Sequence, residues 1–342
     1  MTVKPPERPP TVRDVASAAG VSVATVSRVL SGSPKRVGDE TRDRVLEAAA
    51  RLGYAVNSAA KALATGRTGN VGVVVPDLGN QHFTMIVRAL THEARSSGFH
   101  VFIGDSLGSE SEEVALATQM ALRSDGVILC SPRASSTALA SVLTGGKPVV
   151  TVNRRFRSAT TVSSVVVDVL PATREIIRSM LDLGHRSFAY VGASSRSRQN
   201  RRRWTLISEL VTSAGGTVVY EGFDDEHPDL VSEVQRLLAL GCTALVAAND
   251  MVAAALTSTL TDLGVSVPES VSISGWDDTA LARWITPQLT TAGMVENEVA
   301  RAAWSAMSAL LVAPGAVSHV ELRSNPVFRD SIGPAPTRST PN

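Results

Sequence analysis

The sequence has few cysteines, few aromatic residues and no long apolar run. Only two of its 342 residues are cysteines, Cys130 and Cys242, and aromatic residues make up 4%. The cysteines form no CxxC pair, so we expect two buried thiols in a reducing compartment rather than a disulfide framework. No apolar run reaches the roughly 18–20 residues that span a bilayer. The N-terminal MTVKPPERPP lacks the apolar segment of a secretory signal. These absences predict a cytoplasmic protein with no membrane partner.

Motifs for nucleotide, metal and cofactor chemistry are also missing. The chain has no Walker A loop and no G-x-G-x-x-G, and its six histidines are scattered without a His-x₃-His or Cys/His cluster. We therefore predict no metal site and no cofactor. One short catalytic motif is present, because GDSLG at 104–108 matches a serine esterase signature with Ser106 as nucleophile. Its candidate base is His185, which must lie within hydrogen-bond reach. The prediction is that the chain is not an enzyme, with an esterase as a rival.

Charge is divided unevenly along the chain. Residues 1–70 contain 11 Lys and Arg against 6 Asp and Glu, whereas the rest contains 22 against 26. A small basic head on a mildly acidic body predicts a head that binds a polyanion. The length predicts two or three domains. The proline-rich residues 1–10 and the last residues, 331–342, are predicted to be disordered tails.

Three short helices are predicted over residues 11–56. Gly20 ends the first, Ser22 caps the second, and the third begins at Asp39 and ends at Gly53. Each helix carries apolar residues at helical spacing, and the turn between the first two is tight. This arrangement predicts a helix-turn-helix domain.

The second helix of such a domain lies in the major groove, so side chains near its start face base edges. The Arg28 guanidinium can donate to guanine O6 and N7, whereas Val23 and Ala24 can contact thymine methyls, and Ser27 lies a turn later. Phosphate and other interface contacts are predicted for hydroxyl and basic side chains near helix starts and turns, namely Thr11, Ser22, Thr25, Arg36 and Thr41. The alternative is that these are ordinary surface residues of a helical bundle.

Residues 70–330 alternate short apolar runs with helical patterns. The predicted strands are Val71–Val75, His100–Gly104, Gly126–Cys130, Val149–Asn153, Val165–Val167, Phe188–Gly192, Thr217–Tyr220, Ala244–Ala247 and Ser272–Gly275. Repeated strand–helix units predict parallel sheets covered on both faces, and this length favours two Rossmann-like lobes. We predict a first lobe of about 70–162 and 292–318, and a second of about 163–291 and 319–330. The fold class is thus a small all-α head with an α/β body.

The segments VRDVASAAGVSVATVSRVLSG and VGDETRDRVLEAAARLGYAVNSAAKALATG closely resemble the DNA-binding head of the lactose-repressor (LacI/GalR) family. This resemblance implies that residues 57–69 hold the family's hinge helix, at Asn57–Ala64, and a linker. In the family this helix orders on operator DNA, where the residue matching Leu63 wedges into the minor groove with Ala60 on the same face. It also implies a homodimer on a pseudo-palindromic double-stranded operator. The alternative for Leu63 is ordinary interdomain packing.

The resemblance extends over residues 71–330, where PDLGNQHF, PVVTVNRR, LDLGHRSFAYVG, AANDMVAAA, SISGWDDTALARWITPQLTT and NPVFRDS are similar to family segments. In the family the body resembles a sugar-binding periplasmic protein and holds a small-molecule effector in the cleft between its lobes. The effector-binding residues that this implies are Asn80, His82, Phe83, Ser131, Asn153, Arg201, Asn249 and Asp277.

The body also departs from the family pattern. Val169, Leu206 and Met294 stand at positions where the family has a polar residue, a glycine and a glutamine, which lowers the hydrogen-bonding capacity of the cleft. The run SSRSRQNRRRW, predicted at the cleft mouth, leads to the hypothesis of an anionic effector such as a phosphorylated sugar or nucleotide. Its alternative is a solvated basic rim from which Arg201 alone faces the ligand.

These patterns together predict a dimeric transcriptional regulator, a repressor that binds operator DNA and responds to a sugar or sugar-like effector. It would associate with the nucleoid when bound to its operator. The rival is a solute-binding protein without a regulatory role. Whether the effector releases the protein from DNA or recruits it stays open from the sequence.

Overall fold

The computed structural model describes residues 10–31, 37–54, 66–157, 159–192, 197–221, 229–293 and 295–337. The chain divides into two compact units, a head of residues 1–69 and a body of residues 70–342. None of the described helices is both long and apolar enough to cross a membrane.

The head contains three helices around a small apolar core. They are α1 (Val12–Ala19), α2 (Val23–Ser31) and α3 (Asp39–Leu52). Gly20 ends α1 with a left-handed backbone (φ 65°), which a residue with a side chain rarely adopts and which permits the tight turn into α2. The buried core comes from one face of each helix and consists of Val15, Ala16, Ala19, Val26, Val29, Val45, Ala48 and Ala49.

The first lobe of the body is built on a six-stranded parallel sheet in the order β11-β5-β4-β3-β1-β2. Its strands are β1 (Asn70–Val75), β2 (His100–Asp105), β3 (Gly126–Cys130), β4 (Val149–Val152), β5 (Ser163–Asp168) and β11 (His319–Arg323). Its helices are α4 (Gln81–Ser96), α5 (Glu110–Arg123), α6 (Ala140–Thr144) and α12 (Glu296–Val312). Helix α12 packs against α4 and the sheet, which encloses one face of the sheet.

The second lobe is built on a four-stranded parallel sheet in the order β7-β6-β8-β9. Its strands are β6 (Ser187–Val191), β7 (Thr217–Glu221), β8 (Ala244–Ala247) and β9 (Ser272–Ser274), beside a small antiparallel pair of β10 (Thr291–Gly293) and β12 (Asn325–Val327). Its helices are α7 (Leu170–Asp182), α8 (Arg198–Ser213), α9 (Leu230–Ala239), α10 (Asp250–Asp262) and α11 (Ala280–Trp284).

The sheet topology corrects two predicted lobe boundaries. Strand β5 pairs with β4, and β11 pairs with β5, so the segments 163–168 and 319–323 belong to the first lobe and not to the second. The predicted boundaries were wrong because the chain crosses between the lobes later than expected. In the described chain it crosses three times, after β5, before α12 and after β11.

Each central strand is apolar on both faces because helices cover both, as in other parallel sheets.

The predicted disorder of residues 331–342 is also corrected where the structure describes it. The Ser331 hydroxyl donates to the carbonyl of Ile273, and the Gly333 amide donates to the Ser272 hydroxyl. The Ala335 amide donates to the carbonyl of Leu183. Residues 331–335 therefore pack against the second lobe, since these bonds satisfy groups that would otherwise be buried without partners. Residues 1–9 and 338–342 lie outside the described residues.

Candidate functional site

The exposed face of α2 carries the predicted base-reading residues. Val23, Ala24, Ser27 and Arg28 are all exposed on this helix, and Val26 on its opposite side is fully buried. A spacing of three to five residues places these four side chains on one side of the helix. Val23 is 41% exposed, which leaves a branched apolar side chain in water where a partner surface can cover it.

The predicted phosphate-contacting hydroxyls lie at helix starts. The Thr11 hydroxyl and amide both donate to the Asp14 carboxylate at 2.7 Å. The Thr25 amide donates to the Ser22 hydroxyl at 3.1 Å, which caps α2. Thr41 lies in the first turn of α3 and is half-buried. Arg36, Asn57, Ala60 and Leu63 lie outside the described residues, so their predicted DNA contacts stay predictions.

A cavity of about 330 Å³ lies at the carboxyl ends of strands from both lobes of the body. This is where open α/β sheets bind ligands, because loops from neighbouring strands converge there. The cavity is lined by seven of the eight predicted effector-binding residues, namely Asn80, His82, Phe83, Ser131, Asn153, Asn249 and Asp277. Polar side chains of the described cavity wall include amides, hydroxyls, carboxylates and two arginines, so it can pair with a ligand that both donates and accepts hydrogen bonds.

The eighth prediction is corrected, because Arg203 rather than Arg201 lines the cavity. Arg201 is exposed on α8, whereas Asn200 and Arg203 lie three residues apart on the buried face of the same helix. The Arg203 guanidinium donates to the Ala248 carbonyl at 3.0 Å and to Asn200 Oδ1. It also lies 4.3 Å from the centroid of the Trp276 ring. The buried spacing of Asn200, Arg203 and Ile207 is the sequence signal that would have found it.

Trp276 and Gln199 also line the cavity and were missed from the sequence. Trp276 precedes Asp277 in SGWDD and presents a flat apolar surface, which suits the face of a sugar ring or a base. Val169 lines the same cavity and is fully buried, so the departure at this position does face the cavity. Leu206 is buried but is not among the lining residues, and Met294 lies outside the described residues.

Two polar residues at the ends of β3 and β4 are held in unusual backbone conformations. Ser131 and Asn153 have φ angles of 46° and 61°, in the left-handed region that favours glycine. The Asn153 side-chain amide donates to the Ser131 hydroxyl at 3.1 Å. Backbone strain of this kind concentrates at functional sites, where it fixes the direction of a side chain.

A buried charge cluster joins the two lobes at the cavity wall. His82 on α4 lies with Nδ1 2.9 Å from Glu296 Oε1 and 3.8 Å from Asp277 Oδ1. Burial alone would lower the pKa of His82, but the Asp277 and Glu296 carboxylates raise it above its ordinary value. Burial raises the pKa of Asp277 to about 7, even though the His82 and Arg203 charges act in the opposite direction. This cluster makes contact between the lobes sensitive to protonation.

Asp250 holds the loop that carries Asp277. Its carboxylate accepts hydrogen bonds from the Thr279 amide at 2.7 Å, the Thr279 hydroxyl at 3.0 Å and the Thr291 hydroxyl at 2.6 Å. Burial raises the pKa of Asp250 to about 6 in spite of these donors. These bonds fix the loop between β9 and β10, and therefore the position of Asp277 at the cavity.

The esterase motif does not form a nucleophile–base pair. Ser106 is buried in the first lobe, and its hydroxyl donates to the Val75 carbonyl at 3.3 Å. His185 is buried in the second lobe, where its ring nitrogens contact Thr243 Oγ1 and the Gly333 carbonyl. Both cysteines are free and buried, as predicted. Within the described ranges, no group of three or more His, Cys, Asp or Glu side chains is arranged so that it could hold a metal ion.

Comparison with known proteins links both units to one family. Residues 11–57 match the lacI family of bacterial regulatory proteins, and residues 177–332 match a periplasmic binding protein-like domain. The HTH-type transcriptional regulator GalS of Salmonella typhimurium is 34% identical over 82% of this chain and 84% of its own length. These relationships confirm the predicted family and fold class.

Solved structures show the same architecture over nearly the whole chain. A LacI-family transcriptional regulator from Silicibacter pomeroyi is 27% identical with a TM-score of 0.82, covering 95% of this chain and 100% of that chain. The transcriptional regulator CelR–cellobiose complex is 26% identical with a TM-score of 0.67, covering 94% of this chain and 99% of that chain. The chain therefore belongs to the lacI family of bacterial regulatory proteins, as a DNA-binding transcriptional regulator with an effector-binding body.

Proposed function

We propose that this regulator is a dimeric repressor that binds a pseudo-palindromic operator and is controlled by a sugar or sugar-like molecule in the cleft of the body. The observation that carries the proposal is the polar cavity between the two lobes, on a chain whose head also presents an exposed reading face on α2. The alternative, a solute-binding protein without a regulatory role, accounts for the cavity but not for the helix-turn-helix head.

In the head, α2 enters the major groove and its exposed side chains contact base edges. Arg28 reads guanine, while Val23 and Ala24 contact thymine methyls and Ser27 lies beside them. The hydroxyls of Ser22, Thr25 and Thr41 contact phosphates together with Arg36, and Thr11, whose hydroxyl donates to Asp14, lies at the same DNA interface. The hinge residues Asn57, Ala60 and Leu63 are proposed to order on DNA and to place Leu63 in the minor groove.

In the body, the ligand pairs with Asn80, Asn249 and Asp277 and stacks against Trp276. This donor and acceptor set supports a polyhydroxylated ligand, and the CelR structure holds a disaccharide, cellobiose. A ligand that contacts both lobes favours the conformation in which the lobes are close. Ligand binding then changes operator affinity only if the close and the open conformations bind DNA with different affinity. We propose no catalytic role for Ser106. We also propose that the protein is cytoplasmic and that it associates with the nucleoid when it is bound to its operator.

The proposed function is tested by selecting bound sequences from a random double-stranded DNA library with the full chain. Enrichment of an inverted repeat is the expected result, because a symmetric dimer reads two related half-sites. Repeating the selection with each candidate sugar shows whether ligand weakens or strengthens binding. Absence of any enriched sequence, or salt-independent binding, would contradict the repressor proposal.

Replacing Asn249 with serine is expected to weaken sugar binding by roughly 5- to 150-fold, because a buried hydroxyl of the ligand loses its amide partner. Asn249 also caps α10 by accepting from the Val252 amide at 2.9 Å, and serine keeps this capping capacity. Binding is measured by titration calorimetry with the sugar that gives the largest thermal shift in a panel of neutral mono- and disaccharides.

The matched control is Asp229→Ser, a substitution at the cap of α9, where Asp229 accepts from the Ser232 amide outside the cavity. This control is expected to bind the sugar like the unchanged protein. If both variants bind normally, Asn249 has no role in recognition, and if no sugar shifts the melting temperature, the proposed effector class is wrong.

The dimer is proposed to use the β2 edge of the first lobe. Strand β2 is the last strand of its sheet, and Phe102 and Ile103 are 48% and 46% exposed on it. Exposed apolar residues on an unpaired edge mark a surface that another chain covers. Replacing Ile103 with lysine is expected to shift the protein to a monomer in sedimentation velocity. Met251→Lys is the control, since Met251 is equally exposed but lies on α10. A dimer that survives Ile103→Lys and Phe102→Lys would contradict this interface.

A further inference from the structure

A second cavity, of about 380 Å³, lies beside the effector cavity and is lined mainly by positive charge. Among the described residues of its wall are five arginines, Arg154, Arg155, Arg157, Arg198 and Arg202, and one carboxylate, that of Glu321. These arginines come from two segments that are separated by about forty residues of sequence. Their convergence on one concave surface is a feature of the fold and could not be read from either segment alone.

The first arginine segment is the loop that follows β4, and Arg154 anchors it to the segment that follows β3. The Arg154 guanidinium donates to the carbonyls of Pro132 and Ala134 at 2.8 and 2.7 Å, and it lies 4.4 Å from the centroid of the Phe156 ring. The Thr151 hydroxyl donates to the Arg154 carbonyl. Arg155 and Arg157, which follow, are exposed. The loop therefore has a defined shape while its later arginines remain accessible.

The second arginine segment begins helix α8 on the other lobe. Ser197 caps the helix by accepting from the Asn200 amide at 3.3 Å, and Arg198 is its first residue. Arg202, one turn later, forms an ion pair with Asp168 at 3.1 Å. Asp168 ends β5 in the first lobe, so this pair already ties the two lobes together at the cavity wall.

The positive charges of the two segments act on one another. Burial lowers the pKa of Arg154, and the charges of Arg198 and Arg201 lower it further, although the Glu113 and Glu110 carboxylates act in the opposite direction. Burial also lowers the pKa of His319 on the cavity wall, with a further lowering from Arg155. Charges that disfavour one another across a cavity are stabilised when an anion binds between them.

The effector cavity does not provide an equivalent anion site. Its described wall contains two arginines, and the guanidinium of one of them, Arg203, already donates to Ala248 and Asn200. The arginine-rich run of the sequence therefore faces the second cavity through Arg198 and Arg202, while Arg203 faces the effector cavity.

We propose that this second cavity binds a small, multiply charged oxyanion, either a phosphate compound or a polycarboxylate, separately from the effector. Its volume suits a small molecule, and arginine forks match the geometry of phosphate and carboxylate oxygens. The anion contacts Arg155 and Arg157 from the first lobe and Arg198 from the second. It thereby favours the state in which the lobes are close.

The two cavities share part of their walls, which couples them. Asn153 and Gln199 line both, and the Gln199 side-chain amide donates to the Val167 carbonyl at 3.0 Å across the lobes. A ligand that orders these two side chains from one cavity changes the conformational entropy that a second ligand loses when it orders them from the other cavity. The anion is thus expected to strengthen binding of the neutral effector, a consequence that rests on the proposed function, whereas anion binding itself does not.

The test is titration calorimetry of the full chain with inorganic phosphate, pyrophosphate and citrate, and with glucose as the neutral comparison. The double variant Arg155→Gln/Arg198→Gln is expected to weaken binding of the preferred anion at least roughly tenfold, because two charged hydrogen-bond donors are lost. The control is Arg123→Gln/Arg178→Gln, which removes two exposed arginines, one from each lobe, that line neither cavity. It is expected to bind like the unchanged protein.

Three results would overturn the proposal. In the first, none of the three anions gives a heat of binding. In the second, the control variant loses as much anion affinity as the double variant. In the third, no small anion binds, but the double variant loses nonspecific DNA binding. Tighter binding of pyrophosphate than of citrate assigns the site to phosphate compounds, and the reverse assigns it to polycarboxylates. Because no operator is used, failure here leaves the repressor proposal untouched.

Discussion

Replacing Arg28 with alanine is expected to weaken operator binding by roughly 30-fold to 10⁴-fold. Each half-site loses a bidentate contact with guanine that is worth about 1–3 kcal/mol, and a symmetric dimer loses it twice. Arg28 is exposed on α2 and is not part of the apolar core of the head, so the fold of the head is retained. Fluorescence anisotropy with the selected operator measures the loss, and circular dichroism checks the helices.

The variant Arg28→Lys separates base reading from charge. Lysine keeps the positive charge but lacks the planar fork, so affinity for random DNA is retained while discrimination at one base pair is lost. If Arg28 contacts only phosphate, Arg28→Lys binds the operator almost normally and Arg28→Ala weakens specific and random DNA equally. That pattern would remove Arg28 from the reading residues and leave Val23, Ala24 and Ser27.

Replacing Asp277 with asparagine is expected to change how the stability of the body depends on pH. Burial raises the pKa of Asp277 to about 7, so the folded state holds this proton at a pH where the unfolded state has released it. The free energy of unfolding of the unchanged protein therefore falls as the pH rises from about 4 to about 7, by up to about 4 kcal/mol from this group. Asparagine has no proton to lose, so the variant gains relative stability over this range.

His82 contributes in the same direction. Its pKa is raised by Asp277 and Glu296, so its stabilising charge is present below its ordinary pKa and is lost as the pH rises through the raised value. In Asp277→Asn one of these carboxylates is absent, which reduces the gain. The other charged groups that act on Asp277 are Asp250, Arg203 and Glu296.

The measurement is urea unfolding across this pH range, followed by tryptophan fluorescence. All four tryptophans lie in residues 70–342, so the signal reports the body and not the head. Asp262→Asn, an exposed aspartate on α10, is the control, and its stability is expected to follow the unchanged protein at each pH. A constant difference between Asp277→Asn and the unchanged protein at all pH values would contradict the buried-carboxylate account.

The head and most strands of the body could be predicted from the sequence, because their signals are local. Gly20 and Ser22 mark the turn between α1 and α2, and pairs such as Val15 with Ala19 show helical spacing within one helix. The nine strands predicted in the body likewise follow short apolar runs. The short strand β10 and the partly exposed strands β11 and β12 were not predicted, because they lack such runs.

Contacts between residues far apart in the chain could not be predicted from the sequence. The membership of β5 in the first lobe depends on its pairing with β4 and β11, and nothing within 163–168 indicates this. The choice between Arg201 and Arg203 depends on the rotation of α8, which an adjacent run of arginines does not define. The His82–Glu296 contact joins residues that are 214 positions apart, and only the folded chain brings them within 2.9 Å.

The three crossings between the lobes also constrain how this protein is made. Strand β11 completes an edge of the first sheet, and residues 325–335 cover part of the second lobe, so both lobes depend on a stretch of about twenty residues near the end of the sequence. During synthesis neither lobe can reach its final form until that stretch has left the ribosome. The head depends on no such distant segment for its core and can fold early. For part of each round of translation the cell therefore holds a nascent chain whose reading head is complete while its sensing body is still unfinished.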